Sequence, residues 1–426
     1  MKILHITPFY VPFVGGGVVH IQKLSEHLAS RNHDVFVLTT NVISLWDMGS
    51  RKCAGLPSME VINGVKVIRV SPNDGLWGKM FDGWLKLKGG YRFLSFVLGE
   101  ERLGLLAQGF RMLPTIRHIL RLDADIVASM NWYCAPAYYA YLARTLKYFR
   151  MVGIPLFHTA DAWSDREIHR AMLSACDAVV ANTAHEADFA IQRGAKRVEV
   201  AGVGIQPNSF DDRNGKQIRE RYGLGNCPVV GFVGMLIPRK GATVLLQAMK
   251  VVWAWNTEVR LVLAGSAPPG GSPVDDLIEQ LTAEERARIV RITEFPDHEK
   301  ASIYDAFDVF ALPSASESFG IVYLEAWLCG KPVIGARIGS TQSVICEGTD
   351  GLLVEPENAL DIARAIIDLL SNPDKRERLG KNGQAKILAQ FTWDKVTDKV
   401  EEIYRDLYRT KASRCLSSLR IEERPS

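Results

Sequence analysis

The stretch Phe307–Gly330, FDVFALPSASESFGIVYLEAWLCG, decides the fold. Val309 to Leu312 is a short apolar run stopped by Pro313, the pattern of a buried strand. Ser314-Ala315-Ser316-Glu317-Ser318 is a polar loop of mostly small residues. A helical run follows from about Phe319 to Cys329, with Gly330 at its C-terminal cap and Pro332 just beyond. Strand, small-residue loop and helix form a unit that turns free backbone N–H groups toward an anion.

Two carboxylates sit in this unit, Glu317 in the loop and Glu325 in the helix. Glu325 is flanked by Leu324, Ala326, Trp327 and Leu328, with Ile321 and Val322 one turn back. So apolar a helix is buried, and a carboxylate inside it needs several donors. The adjacent hydroxyls of a ribose are donors of that kind. Glu317, about one turn before the helix, would lie on the other side of a phosphate held at the N-terminus. The pair would then bracket a nucleotide diphosphate, with sugar at one end and ribose at the other. The same residues also fit a plainer arrangement, in which Glu325 pairs with a nearby lysine and Glu317 is solvated.

Glu317 and Glu325 are separated by seven residues, and the run ESFGIVYLEAWLCGKPVI resembles the E-x7-E signature of glycosyltransferase family 4. Those are retaining, nucleotide-sugar-dependent enzymes with the GT-B fold. Ser-Phe-Gly after the first acid and Gly-Lys-Pro-Val after the second both match. The resemblance implies an α/β protein of two doubly wound Rossmann-like domains facing a central cleft, with a C-terminal helix crossing back to the first. It is strong over residues 228–354, moderate over 1–42 and 155–210, and absent over about 45–121.

Composition agrees with this class. A chain of 426 residues is long enough for two domains of ordinary size. Lys+Arg of 51 against Asp+Glu of 48 leaves +3, too balanced for nucleic acid as a bulk partner. The 7 cysteines are scattered with no C-x-x-C pair, as expected of reduced cytosolic thiols rather than disulfides or a zinc site. MKILHITPFY lacks the apolar core of a signal peptide, and no run is long enough to span a membrane. The expectation is a cytoplasmic protein.

Read in order, Lys2 to Ile6 is a strand, and a Pro- and aromatic-rich loop leads to Gly15-Gly16-Gly17. A helix from Val18 to Arg31 and a strand from Val35 to Thr40 open a doubly wound domain. The glycines do not form G-x-G-x-x-G, which disfavours a dehydrogenase. In the resembled family a glycine loop here lets the backbone approach the donor, so Gly15, Gly16 and Gly17 are expected to bind it. His20 is read as structural. Val61 to Val70 reads as a hairpin about Asn63-Gly64.

Residues 77–118 mix Trp77, Phe81, Trp84 and Tyr91 with Lys79, Lys86, Lys88 and Arg92. An amphipathic surface of this kind suits peripheral membrane contact or a lipid-linked acceptor; ordinary helices packed on the first domain are the plainer reading. Pro155 to Thr159 is read as a strand carrying His158 at its C-terminal edge, and the resemblance implies that His158 lies beside the donor sugar.

Residues 211–227 are polar and read as the linker between domains at 1–210 and 228–393. The second domain restarts with the strand Val229 to Val233. Arg239 and Lys240 stand just before a helix beginning at about Ala242, where dipole and cations converge on a diphosphate. Lys240 matches the family; Met235 stands where the family carries arginine, and Gln206 where it carries aspartate. A helix over 394–410 is expected to return to the first domain, followed by a polar tail, 411–426, expected to be disordered.

The reading is a metal-independent retaining glycosyltransferase that moves a hexose from a UDP- or GDP-linked donor to a hydroxyl acceptor: a glycan, glycolipid or small molecule. No cofactor is expected beyond the nucleotide sugar as co-substrate. His158 and Glu317 are the expected catalytic residues; Arg239, Lys240, Ser318, Phe319, Gly320 and Glu325 join the glycines as donor-binding residues. A nucleotide-sugar epimerase or hydrolase of the same fold, or a non-catalytic nucleotide-sugar-binding subunit, are the alternatives.

Overall fold

The structure is a computed structural model that describes residues 1–13, 15–43, 55–71, 113–133, 135–268 and 270–421. The chain forms two compact units, Met1–Gly204 with Trp393–Ser426, and Ile205–Thr392. Residues 77–112, most of the aromatic and basic stretch, lie outside the described residues.

The first unit is built on an eight-stranded sheet. Its strands are β1 (Lys2–Ile6), β2 (Asp34–Thr40), β3 (Met59–Ile62), β4 (Val65–Val70), β5 (Ile126–Met130), β6 (Arg150–Ile154), β7 (Ala178–Ala181) and β8 (Val198–Val200). Their order is β3-β4-β2-β1-β5-β6-β7-β8. Only β3 runs antiparallel to its neighbour β4, through a tight turn at Asn63 (φ 48°) and Gly64 (φ 82°), as the Asn-Gly pair predicts. The chain winds outward from β1 in both directions, so the order reverses between β1 and β5, and ligands bind at such a point beyond the carboxyl ends of the strands.

One expected strand is corrected. β6 covers Arg150–Ile154, and residues 155–159 are a loop. The apolar run Met151 to Phe157, MVGIPLF, is continuous, and Pro155, which has no N–H for the ladder, ends the strand earlier than its hydropathy suggests. His158 therefore stands on a loop beyond the strand end.

The helix Trp393–Ile421 belongs to the first unit and runs through residues 411–421, where the sequence reading expects disorder. Trp393 anchors its start. The indole packs edge-on against the buried His20 ring at 5.7 Å and fills the space a Cβ at Gly204 would need. Further along, Tyr404 Oη and Ser25 Oγ lie 3.2 and 2.7 Å from the ring nitrogens of the buried His5. Glu401 accepts from Arg31 at 2.8 Å and His33 at 2.9 Å.

The second unit carries a six-stranded parallel sheet of order β11-β10-β9-β12-β13-β14. These strands are β9 (Val229–Val233), β10 (Arg260–Ala264), β11 (Ile289–Ile292), β12 (Val309–Leu312), β13 (Val333–Ala336) and β14 (Gly351–Val354). Every residue of β9, β12, β13 and β14 is buried, which is why they read as unbroken apolar runs. Gly231, in mid-strand on β9, makes room for the Phe307 ring. Residues 211–227, expected as a linker, include the helix Gly215–Arg221.

Candidate active site

In the second unit the order reverses between β9 and β12, again the point beyond which an α/β sheet binds ligands. The loop after β9 makes one tight turn, Pro238–Lys240, and enters the helix Ala242–Trp255 through Gly241. Gly241 is left-handed (φ 82°), and a Cβ there would meet the carbonyl oxygen of Pro313 at 2.2 Å. Only glycine lets these two loops approach so closely. The loops are also stitched by hydrogen bonds: the Arg239 carbonyl accepts from Ala315 N and Ser314 Oγ, both at 2.9 Å.

This stitching places Lys240 Nζ 2.6 Å from Glu317 Oε1. Glu317 is buried, and its own carbonyl accepts from Ser340 Oγ at 2.6 Å. The pair is therefore fixed from three elements. The helix expected from about Phe319 begins later, at Ile321, because Gly320 is left-handed (φ 86°) and caps it as Ile321–Leu328. Ser318, Phe319 and Gly320 thus form the approach to an N-terminus whose first N–H groups have no intrahelical partner. Phe319 is buried against Phe391 at 5.5 Å. Arg239 is exposed.

Glu325 is buried within that helix, as the sequence predicts. Its oxygens accept from Lys300 Nζ at 3.1 Å and Tyr304 Oη at 2.7 Å. The lysine of the plainer sequence reading is thus present. The negative charge beside Lys300 raises its pKa despite burial, and burial with the same charge raises that of Tyr304.

In the first unit the glycines open the helix Gly16–Ser30, with Gly15 as its cap. A Cβ on Gly17 would come within 3.3 Å of Leu156 Cδ1, so the glycine turn abuts the loop that carries His158. That loop is held by buried groups. The Glu186 carboxylate accepts from Phe157 N and Asn182 N, both at 2.8 Å, and burial pushes its pKa up to about 7 against the pull of these donors. Tyr133 Oη accepts from His158 N at 2.5 Å, and the His158 carbonyl accepts from Ser164 Oγ at 2.8 Å. His158 itself is half-buried. No group of three metal-ligating side chains forms among the described residues.

Two families of known sequence match the two units. Residues 15–204 match the model described as Glycosyl transferase 4-like domain, and residues 215–386 match Glycosyl transferases group 1. A D-inositol 3-phosphate glycosyltransferase of Stackebrandtia nassauensis is 31% identical over 315 residues, covering 68% of this chain and 69% of the relative. The chain belongs to the group 1 glycosyl transferases.

A second D-inositol 3-phosphate glycosyltransferase, from Corynebacterium diphtheriae, is 27% identical over 97% of this chain and 96% of its own. The fold of this glycosyltransferase is GT-B. A sucrose-phosphate synthase from Thermosynechococcus elongatus superposes with a TM-score of 0.73 at 22% identity, over 96% of this chain and 99% of that one. Anabaena HepE, solved in complex with UDP-glucose, gives 0.71 at 18% identity, over 95% and 100%.

The sequence brought Lys240, Glu317 and Ser318 to Gly320 to one place, and the structure assembles them there. It missed Lys300 and Tyr304, whose partner Glu325 is far away in the chain. It also missed Glu186, although Thr183-x-x-Glu186 has the spacing of a capping box; Thr183 does cap the helix Ala184–Gln192. The glutamate instead reaches across to the neighbouring loop.

Proposed function

We propose that this glycosyltransferase moves a hexose from a nucleotide diphosphate sugar to a hydroxyl acceptor, with retention and without a metal. The observation that carries the reading is the fixed Lys240–Glu317 pair at the reversal between β9 and β12. There the N-terminus of Ala242–Trp255 and that of Ile321–Leu328 supply positive potential.

Departure of the nucleotide diphosphate leaves positive charge on the anomeric carbon and adds negative charge to the leaving phosphate. Lys240, Arg239 and the N–H groups of Phe319 and Gly320 would stabilise the phosphate. That set supplies the charge a metal would otherwise bring. Glu317 would hold the sugar hydroxyls and Glu325 the ribose. Gly15, Gly16 and Gly17, which carry no Cβ, would let the backbone approach the donor, and His158 would contact a sugar hydroxyl. The acceptor hydroxyl attacks the face that the leaving group vacates, and the leaving phosphate takes its proton.

UDP- or GDP-linked hexoses are the donors proposed, in line with the UDP-glucose complex of Anabaena HepE. The names of the relatives make D-inositol 3-phosphate the first acceptor to try. The aromatic and basic composition of residues 77–118 supports a lipid-linked acceptor as a second choice, with the protein peripheral to a membrane; co-sedimentation with anionic vesicles at low salt checks it.

The test is transfer from α-configured UDP-glucose and GDP-mannose in the presence of EDTA, with the product's anomeric coupling read by NMR. An α-linked product in undiminished yield is expected. An inverted product, abolition by EDTA, or release of free hexose alone would contradict the reading.

A further inference from the structure

Lys300 and Tyr304 stand four positions apart on the helix Lys300–Asp305, so one face carries both donors. They meet the Glu325 carboxylate from that face, Lys300 Nζ at one oxygen (3.1 Å) and Tyr304 Oη at the other (2.7 Å). Tyr304 is fully buried, and its ring lies edge-on to Phe307 at 5.9 Å and to Phe310 at 5.4 Å. Its hydroxyl is a fixed point. Lys300 supplies the charge that an otherwise unpaired buried carboxylate lacks.

A carboxylate gripped at both oxygens cannot rotate, yet each oxygen keeps acceptor capacity after taking one hydrogen bond. What remains is two acceptors in fixed orientation, the complement of two vicinal hydroxyls. Lys300 also begins directly after the loop that leaves β11, so the grip ties that loop to the helix Ile321–Leu328.

We propose that Lys300 and Tyr304 are positioning residues that fix Glu325 for both ribose hydroxyls and thereby set a preference for ribonucleotides over 2′-deoxyribonucleotides. The inference rests on Glu325 as the acid that holds the ribose. It requires no contact between Lys300 or Tyr304 and the nucleotide.

Calorimetric titration with UDP, GDP and the 2′-deoxy analogue of each tests it. The unaltered protein should bind the ribonucleotide about tenfold or more tightly than its deoxy analogue, the cost of one lost hydrogen bond to a charged group. In Tyr304→Phe and Lys300→Met the ratio should fall toward one, chiefly through weaker ribonucleotide binding. Lys300 is partly exposed, so Lys300→Met keeps the test open should Tyr304→Phe fail to fold. Variants that keep the original ratio, or weaken both nucleotides by one factor, overturn the inference alone. An unaltered protein that does not distinguish the two forms overturns the ribose role of Glu325 and the inference with it.

Discussion

Lys240 Nζ lies 2.6 Å from Glu317 Oε1, an ion pair between a half-buried lysine and a buried glutamate that joins the loops leaving β9 and β12. The two charges were read from the sequence as serving different parts of one donor. In the folded chain each is the other's partner, so a donor bound as proposed would compete for both.

Removing either member leaves a largely buried charge without its partner. Lys240→Met and Glu317→Gln should each lower stability by about 1–3 kcal/mol. The double variant should be less destabilised than the sum, with a coupling of roughly 1 kcal/mol or more in a denaturation cycle. Transfer should fall roughly 100-fold or more in Lys240→Met, read as kcat/KM.

Gly241→Ala tests the approach of the two loops. The added Cβ would meet the Pro313 carbonyl oxygen at 2.2 Å from a left-handed residue. A loss of roughly 2–4 kcal/mol is expected, with nucleotide binding lost as the loops separate. Thermal unfolding with and without UDP or GDP reads both effects.

Glu186→Ala should act on the His158 loop from beneath. It strips the acceptors from Phe157 N and Asn182 N, and about 2–4 kcal/mol of stability should go with them. Transfer should fall more than nucleotide affinity, since Glu186 supports the His158 loop, which carries none of the residues proposed to hold the phosphates or the ribose. Paired measurements of kcat and of the UDP or GDP dissociation constant check this.

Acid should loosen the C-terminal helix. Burial lowers the pKa of His5 to about 3 and of His20 to about 4. Their stabilising effect is complete above the unfolded value near 6.5 and is lost as pH falls toward those figures. Glu401 is pushed up by burial, but Arg31, His33 and Arg405 outweigh this and bring it to about 2. Its contribution is complete above about 4.5 and fades below. The unfolding midpoint should therefore fall below pH 6.5 and drop more steeply below 4.5. Replacing His20 by Phe should flatten the first limb, and Glu401→Gln the second.

Much of the fold could be read from the chain. The strands β1, β9 and β12 match the residues expected of them, since buried parallel strands carry the clearest patterns. β6 was displaced because Arg150 heads an apolar run that Pro155 interrupts; its guanidinium is buried against Asp177, a pairing no local pattern reveals. The end of the last helix was also missed, for its final turns are polar. In the site, local motifs gave Lys240, Glu317 and Glu325. Lys300, Tyr304 and Glu186 act through partners fixed by how whole helices lie on the sheets, and neighbouring residues do not encode that.

The most direct measurement is a crystal structure with whichever of UDP or GDP raises the unfolding temperature more. The account predicts phosphate oxygens within about 3 Å of Lys240 Nζ and the N–H groups of Phe319 and Gly320, and both ribose hydroxyls on Glu325. A nucleotide seated away from the β9 and β12 loops, or a ribose turned from Glu325 with the Lys240–Glu317 pair undisturbed, would contradict it.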